Sequence, residues 1–541
     1  MIKTISDKNE RVLSAVIIIV LLGYLAVFGI INFAGFVRFC TPDMYEDTLV
    51  ARLMWEQKTL FPENYVFGNQ FYVVATPALS ALFYGLTGSM NTSMELATTV
   101  MSLLILVSLD WLLRPFVRKR LIRLCSLLMV VAVVSVPDAV RQDEGQLFFI
   151  MASFYACYTI SYFVIMGDYI RAFGDGRLRP FPFVLSLFLC FCTGMQSLRQ
   201  TCISILPILA FELCAAVYRK IRTGRFYSRG QYMTLIRAAA YAAANLCGLV
   251  LIRTLDVCQQ TIYLHGGASA DAVTSGTLRT IIDAMRCVTG FDYAQGFGGF
   301  FIVTFIFNTG TVLYAAVLVL RALKKGPGAV HICWMITVIS IAGVILAAAL
   351  SLVYLRRIYV FMYYFLVVFS LVIILEKCSG RVRTGLILLF AVIASCNIYF
   401  TYWDNARTSL QGEPTDPQRI CEYAVENGYE LVYGDFAYSA PSVAVWSDGA
   451  LIAGCWDENC IFKVIPYINI QTIYYLDDFS RAIFVFRTCE YDTALFETEA
   501  NGTELTVLCE YGDYIVCSAS KQLMYPITEN WYYTRAALSG K

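Results

Sequence analysis

Residues 12–36 read VLSAVIIIVLLGYLAVFGIINFAGF, an uninterrupted run with no charged side chain. A helix needs about 20 apolar residues to cross a bilayer core, so this run is long enough to span. Lys3, Lys8 and Arg11 precede it, as in a secretory signal. The run is too long for a signal core, however, and no small-x-small cleavage site follows, so an uncleaved anchor with a cytoplasmic N-terminus is expected. The rest of the chain agrees: of 541 residues, 58% are hydrophobic and only 15% charged. This composition reads as a polytopic α-helical membrane protein, integral to the cell membrane. The net charge of +1 leaves no global basic excess. Lys and Arg instead cluster in short loops between apolar runs, where they set orientation, and no nucleic-acid partner is expected.

Further apolar segments fall at about 72–87, 94–113, 122–136, 147–167, 181–196, 200–218, 233–252, 299–322, 330–354, 357–376 and 384–402. Basic loops test the count. Those around Arg118, Arg177, Arg222, Lys324 and Arg381 all belong inside if residues 72–87, FYVVATPALSALFYGL, do not fully cross. That segment is short, contains Pro77 and Gly85, and suits a helix at the outer interface. About eleven crossings then remain. A transmembrane domain is expected over residues 1–402, with external loops at 37–71, 137–146 and 253–298. An extracytoplasmic α/β or α+β domain follows over residues 403–541, where QRICEYAVENG has helical spacing and ELVYGDF, ALIAGCW, AIFVF, ELTVLCEY and DYIVCSA read as strands. Six of the 19 cysteines lie in this tail, which leaves room for one or two disulfides.

The stretch after the first crossing, TPDMYEDTLVARLMWEQKTLFPENYVFGNQFY at residues 41–72, is too polar to cross and too patterned to be a linker. As a helix it sets Asp43 and Asp47 on one face at i, i+4 with Glu46 beside them. Like charges do not choose that spacing without something to answer them, although a solvated loop is the plainer alternative. A second polar knot, PDAVRQDEGQ, brings Arg141, Asp143 and Glu144 to the same side, unless it merely caps the next helix. GMQSLRQ puts Arg199 between two short segments, and YLRRIY carries Arg356 and Arg357. Interfacial Arg usually answers an anion, and its fork suits phosphate; snorkelling is the alternative. Carboxylates and guanidinium groups at one face fit a substrate with a phosphate at the membrane surface, an apolar tail in the lipid and a leaving group displaced with the help of a base. A lipid-phosphate-linked sugar has all three.

The order of an acidic motif after the first crossing, a proline-bearing interfacial helix (TPAL, residues 76–79), a second acidic loop, a G-x-x-x-L-R segment and an R-R-x-Y crossing resembles the GT-C class of membrane glycosyltransferases, which includes protein O-mannosyltransferases and aminoarabinose transferase. The tail segment YGDFAYSAPSVAVWSDGALIAG is similar to the external domain of such proteins. The resemblance implies inverting transfer of a sugar from a polyprenyl-phosphate donor to a glycan, lipid or protein acceptor of the envelope. It implies Asp43 as base, with Glu46 and Asp47 as looser matches and the second-loop acid at Asp143 or Glu144. This sequence departs from the class in spreading the first-loop acids as DMYED and in having TPAL where Pro-Pro-Leu is usual. No cofactor is implied. With only His265 and His331 a His-built metal centre is not expected, though a divalent cation stays open. The competing class is a transporter or flippase for a lipid-linked or anionic solute. For that reading Glu212 is the one clear acid deep in a segment, and pairing with Arg219 would explain it equally well.

Overall fold

The computed structural model describes residues 2–68, 70–132, 155–175, 179–224, 226, 232–255, 257, 299–324, 326–349, 361–457, 460–465, 469–470, 473, 479–500, 502–521 and 523. Among them, seven helices are long and apolar enough to cross a membrane. Contacts divide the chain into two compact units.

The first unit holds Met1–Gly29, Met101–Ile252 and Tyr263–Ala406 and is helical throughout its described residues. Its elements include most of α1 (Ile2–Ala34), α4 (Met90–Leu113), α5 (Arg120–Ala132), α6 (Ala156–Asp175), α7 (Pro180–Gln196), α8 (Leu206–Thr223), α9 (Tyr232–Thr254), α10 (Gly299–Leu323), α11 (Ala329–Ala349), α12 (Met362–Lys377) and α13 (Gly380–Asn397). Helix α12 is apolar all round and every residue from Met362 to Leu375 is buried, as befits a helix surrounded by others. Close helix approach relies on glycine: a Cβ at Gly194 or Gly248 would collide with the backbone of Asn245 or Phe191, so α7 and α9 meet backbone to backbone. Polar side chains pair across helices, as in Tyr24 Oη donating to Ala394 O at 2.9 Å and Asn397 Oδ1 at 2.7 Å.

Two sequence expectations are refined here. Arg171, just past the apolar segment expected at 147–167, lies in the last turns of α6, buried, with its guanidinium 3.6 Å above the Trp111 ring and donating to Trp111 O. Helix α6 also extends past the apolar run to enclose Asp168, which is paired with Arg237 (Nε to Oδ2, 2.9 Å) and accepts from Tyr241. Glu212 does meet Arg219, at 3.9 Å, and also accepts from Tyr169 Oη at 2.6 Å.

The second unit joins Ile30–Val100, Arg253–Ile262 and Arg407–Lys541. Its centre is a six-stranded mixed sheet of order β4-β3-β2-β6-β8-β7. The strands are β2 (Leu431–Asp435), β3 (Ile452–Asp457), β4 (Cys460–Val464), β6 (Ala482–Arg487), β7 (Leu505–Tyr511) and β8 (Tyr514–Ala519). Strand β2 runs parallel to β3 and β6, and the outer pairings are antiparallel. One face carries an aromatic core of Tyr433, Trp456, Phe462, Phe484 and Phe486, closed by Ala494 of α17 (Thr488–Ala500). On the other face Gly434 lies against Ser439 and Ala440, where α16 (Ala440–Ala444) begins. The expected strands are all present. The described tail cysteines Cys421, Cys455, Cys489, Cys509 and Cys517 are free thiols, so no disulfide forms among them.

The first loop folds onto this sheet. Helix α2 (Pro42–Glu56) packs against α3 (Thr76–Thr87), where Trp55 fills the space a side chain at Gly85 would need. At 1.5 Å per residue the 12 residues of α3 extend about 18 Å, well short of a crossing. Tyr45 Oη accepts from Ala453 N of β3 at 2.9 Å. The strand β1 (Tyr65–Val66) pairs antiparallel with β5 (Asn469–Ile470), and Asn91 bonds Asp448 Oδ1 and Val445 O, both at 2.8 Å.

Candidate active site

Helix α2 starts where its sequence dictates. Thr41 is extended and its hydroxyl accepts from Met44 N at 3.4 Å, Pro42 occupies the first turn, and Asp43 follows it at the positive end of the helix. From this start, the spacing of Asp43, Glu46 and Asp47 puts all three carboxylates on one side. Burial then separates them. Asp43 is half-buried, whereas Glu46 is 1% exposed and Asp47 0%.

Glu46 is the anomaly. Neither of its carboxylate oxygens has a hydrogen-bond partner among the described residues. Burial pushes its pKa well above the ordinary carboxylate range, and the Asp43 and Asp47 charges push it further. Asp47 is hydrogen-bonded by Tyr72. Burial, together with Glu46 and Asp47, also raises the Tyr65 hydroxyl, and the Cys455 thiol of β3 is raised by burial and by the neighbouring Glu46. The aromatic residues after α2 supply an apolar wall: Phe67 lies 5.1 Å from Tyr65, 5.1 Å from Phe71 and 5.9 Å from Tyr72. A buried carboxyl with a raised pKa, two acidic neighbours and tyrosine hydroxyls in one place make an arrangement able to take up and release a proton.

The first unit carries Arg199 in the short join between α7 and a π-turn over Thr201–Ile205. It is half-buried, with its guanidinium 5.3 Å from the Tyr155 ring and 5.9 Å from the Tyr158 ring. Of the other residues singled out in the sequence, Arg141, Asp143, Glu144, Arg356 and Arg357 lie outside the described residues. Sequence reasoning missed the buried pair Asp168–Arg237 and the polar cluster around Asp435 in the tail. A lone charge within an apolar run was the available signal for the first; Asp435 sits in a plain strand and gave none. No group of three or more His, Cys, Asp or Glu side chains capable of holding a metal is present among the described residues.

No protein-family model matches this chain, and no curated protein matches it in sequence. Solved structures do. The crystal structure of ArnT from Cupriavidus metallidurans bound to undecaprenyl phosphate superimposes with a TM-score of 0.52 at 11% identity, covering 95% of this chain and 99% of that one. The fold is that of the GT-C class. The same protein in its apo state matches at 11% identity over 90% of this chain and 94% of that one, with a TM-score of 0.49. The superposition on the undecaprenyl-phosphate-bound structure, covering 95% of this chain, takes in both helical residues and the tail, as the ordered motifs of the sequence led one to expect.

Proposed function

We propose that the protein is a membrane glycosyltransferase that moves a sugar from a polyprenyl-phosphate donor to an envelope acceptor, with the acidic side of α2 at the reacting centre. The reading rests on one observation above all, the buried Glu46, with no hydrogen-bond partner among the described residues, between Asp43 and Asp47 in a chain of GT-C fold. The ArnT structure that shares this fold holds undecaprenyl phosphate, which favours a lipid-linked donor here as well.

In this mechanism Glu46 takes the proton of the acceptor hydroxyl as its oxygen bonds to the anomeric carbon of the donor sugar. The bond from that carbon to the phosphate oxygen breaks, and polyprenyl phosphate leaves with the electron pair. Attack opposite the leaving group inverts the anomeric centre. Burial and the charges of Asp43 and Asp47 raise the Glu46 pKa, so its carboxylate is a stronger base than that of an ordinary surface residue. Asp43 and Asp47 then act on Glu46 by charge, and the half-exposed Asp43 is placed to orient the acceptor.

The test is to incubate the purified protein with a panel of polyprenyl-phosphate sugars and envelope acceptors, following release of polyprenyl phosphate and the anomeric configuration of the product. Acceptor-dependent release with inversion supports the proposal. Movement of intact lipid-linked sugar across a vesicle membrane, without bond cleavage, would replace it with the transporter reading.

A further inference from the structure

Two of the apolar spans finish side by side within the helical unit. Thr201–Arg222 ends in α8, which Gly224 closes in the left-handed conformation at φ 73°, and Ile302–Leu323 ends with α10. Tyr218 Oη of α8 donates to Leu323 O at 3.4 Å. Arg222 donates to Tyr218 Oη at 3.3 Å and to Lys324 O at 3.4 Å. These bonds hold the last turns of the two helices together. A groove of about 480 Å³ opens there, lined by Val317, Leu320, Arg321 and Lys324, which share one face of α10 and its end.

Charge at the mouth of this groove is left unbalanced. Arg222, Arg321 and Lys324 are exposed, and none of them is paired with a carboxylate among the described residues. The neighbouring cations are engaged elsewhere: Arg219 meets Glu212, and Lys220 Nζ donates to Gly224 O at 3.0 Å. A helix C-terminus carries about half a negative charge, so the two helix ends together answer about one of these cations. The excess calls for an anion. One or two turns back the surface is apolar and uncovered, with Leu320 64% exposed and Leu313 and Val317 of α10 and Val217 and Ile221 of α8 exposed beside it. At 1.5 Å per residue Val317 lies about 10 Å from Lys324 along the axis. The polar layer on one side of a bilayer is about 5–7 Å deep, so Val317 can lie among acyl chains while Lys324 lies among headgroups.

The two halves of the groove restrict its occupant. A soluble anion would leave the apolar wall uncovered, and a zwitterionic lipid would bring its own cation to Arg321 and Lys324. An anionic phospholipid fits both halves. We propose that the joined ends of α8 and α10 bind one such phospholipid, with its phosphate taken by Arg222, Arg321 and Lys324 and an acyl chain laid along Leu320 and Val317. The basic loops that follow these helices make it a lipid of the cytoplasmic leaflet. This site takes no part in the transfer chemistry assigned to α2.

The experiment is native mass spectrometry of the full chain, delipidated in detergent and titrated with dioleoyl-phosphatidylglycerol or dioleoyl-phosphatidylcholine. The phosphatidylglycerol should bind roughly tenfold more tightly, and Arg321→Gln combined with Lys324→Gln should remove most of that preference. Arg114→Gln combined with Arg118→Gln takes the same charge from exposed positions of another basic loop and should leave the preference unchanged. All four positions are exposed, so these variants keep the packing of the parent. Glycerol phosphate, a headgroup without chains, should not compete at millimolar concentration. Glu46→Gln should retain the lipid preference, so loss of the transferase reading would not remove this one. Equal binding of the two lipids, a preference that survives Arg321→Gln with Lys324→Gln, equal loss in both double variants, or displacement by glycerol phosphate overturns the proposal.

Discussion

Glu46 differs from its neighbours only in what surrounds it. A glutamate near the start of a helix outside the membrane spans would ordinarily be solvated; here it is covered, and no donor among the described residues compensates its charge. Glu46→Gln keeps shape and burial, and transfer should fall by roughly 100-fold or more, as for loss of a positioned general base. Because the folded pKa is raised, Glu46 is protonated at low pH and becomes active as pH rises through that raised value. The pH–rate profile should therefore climb with an apparent pKa above the ordinary carboxylate range. Asp43→Asn removes a like charge, so it should shift this limb to lower pH and cost less rate than Glu46→Gln. A limb unmoved by Asp43→Asn, with Glu46→Gln within threefold of the parent, would take the proton transfer away from this helix. Arg199 allows a separate test. If it grips a phosphate through its planar fork, Arg199→Lys should weaken donor binding roughly tenfold although the charge is kept, measured as displacement of a labelled polyprenyl phosphate. Unchanged donor affinity would leave Arg199 as a packing residue against Tyr155 and Tyr158. The sequence made the acidic types and their helical spacing legible. It ranked Asp43 first because it could not show that Glu46 would be covered.

The same division runs through the elements. Strands β2, β3 and β6 were readable because alternation and β-branched residues bounded by Gly, Asp and Asn mark short strands without reference to the rest of the molecule. The end of α6 was not, since Arg171 and Asp168 look like loop residues until Trp111, Arg237 and Tyr241 arrive from other helices to satisfy them. At the end of β2, burial and the Glu490 charge raise Asp435 from its ordinary 3.8 to about 6, against the opposing pull of Arg487. A carboxyl with a raised folded pKa keeps its proton longer folded than unfolded, so its contribution to stability is lost as pH rises from about 4 to about 6. Asp435→Asn should therefore melt at a higher temperature than the parent above pH 6 and at a similar one near pH 4, followed in the full chain by the amide band of the sheet. A difference between the two that stays constant across this range would show that Asp435 does not titrate there.

At the scale of the whole chain, hydropathy and loop charge convey the membrane class, and the GT-C resemblance conveys the fold, because both are carried by patterns longer than any single motif. The basic clusters predict a cytoplasmic N-terminus and an external tail. Alkaline phosphatase fused after residue 541 should accordingly be active and a fluorescent protein at the same point dark; the reverse pattern would put the tail, and with it the acidic helix packed on the tail, on the cytoplasmic side.

The hydrogen bond from Ala453 N to Tyr45 Oη joins residues 408 positions apart. A ribosome adding about 5–20 residues per second emits the carboxylate helix some 20–80 seconds before the strand that covers it. Throughout that interval Glu46 has no low-dielectric shelter and behaves as an ordinary ionised acid. The burial of α2 is thus completed late, by the last quarter of the polypeptide, and a nascent chain stopped short of β3 would already contain every acidic residue of the helix yet lack the surroundings on which the proposed role of Glu46 as a base rests.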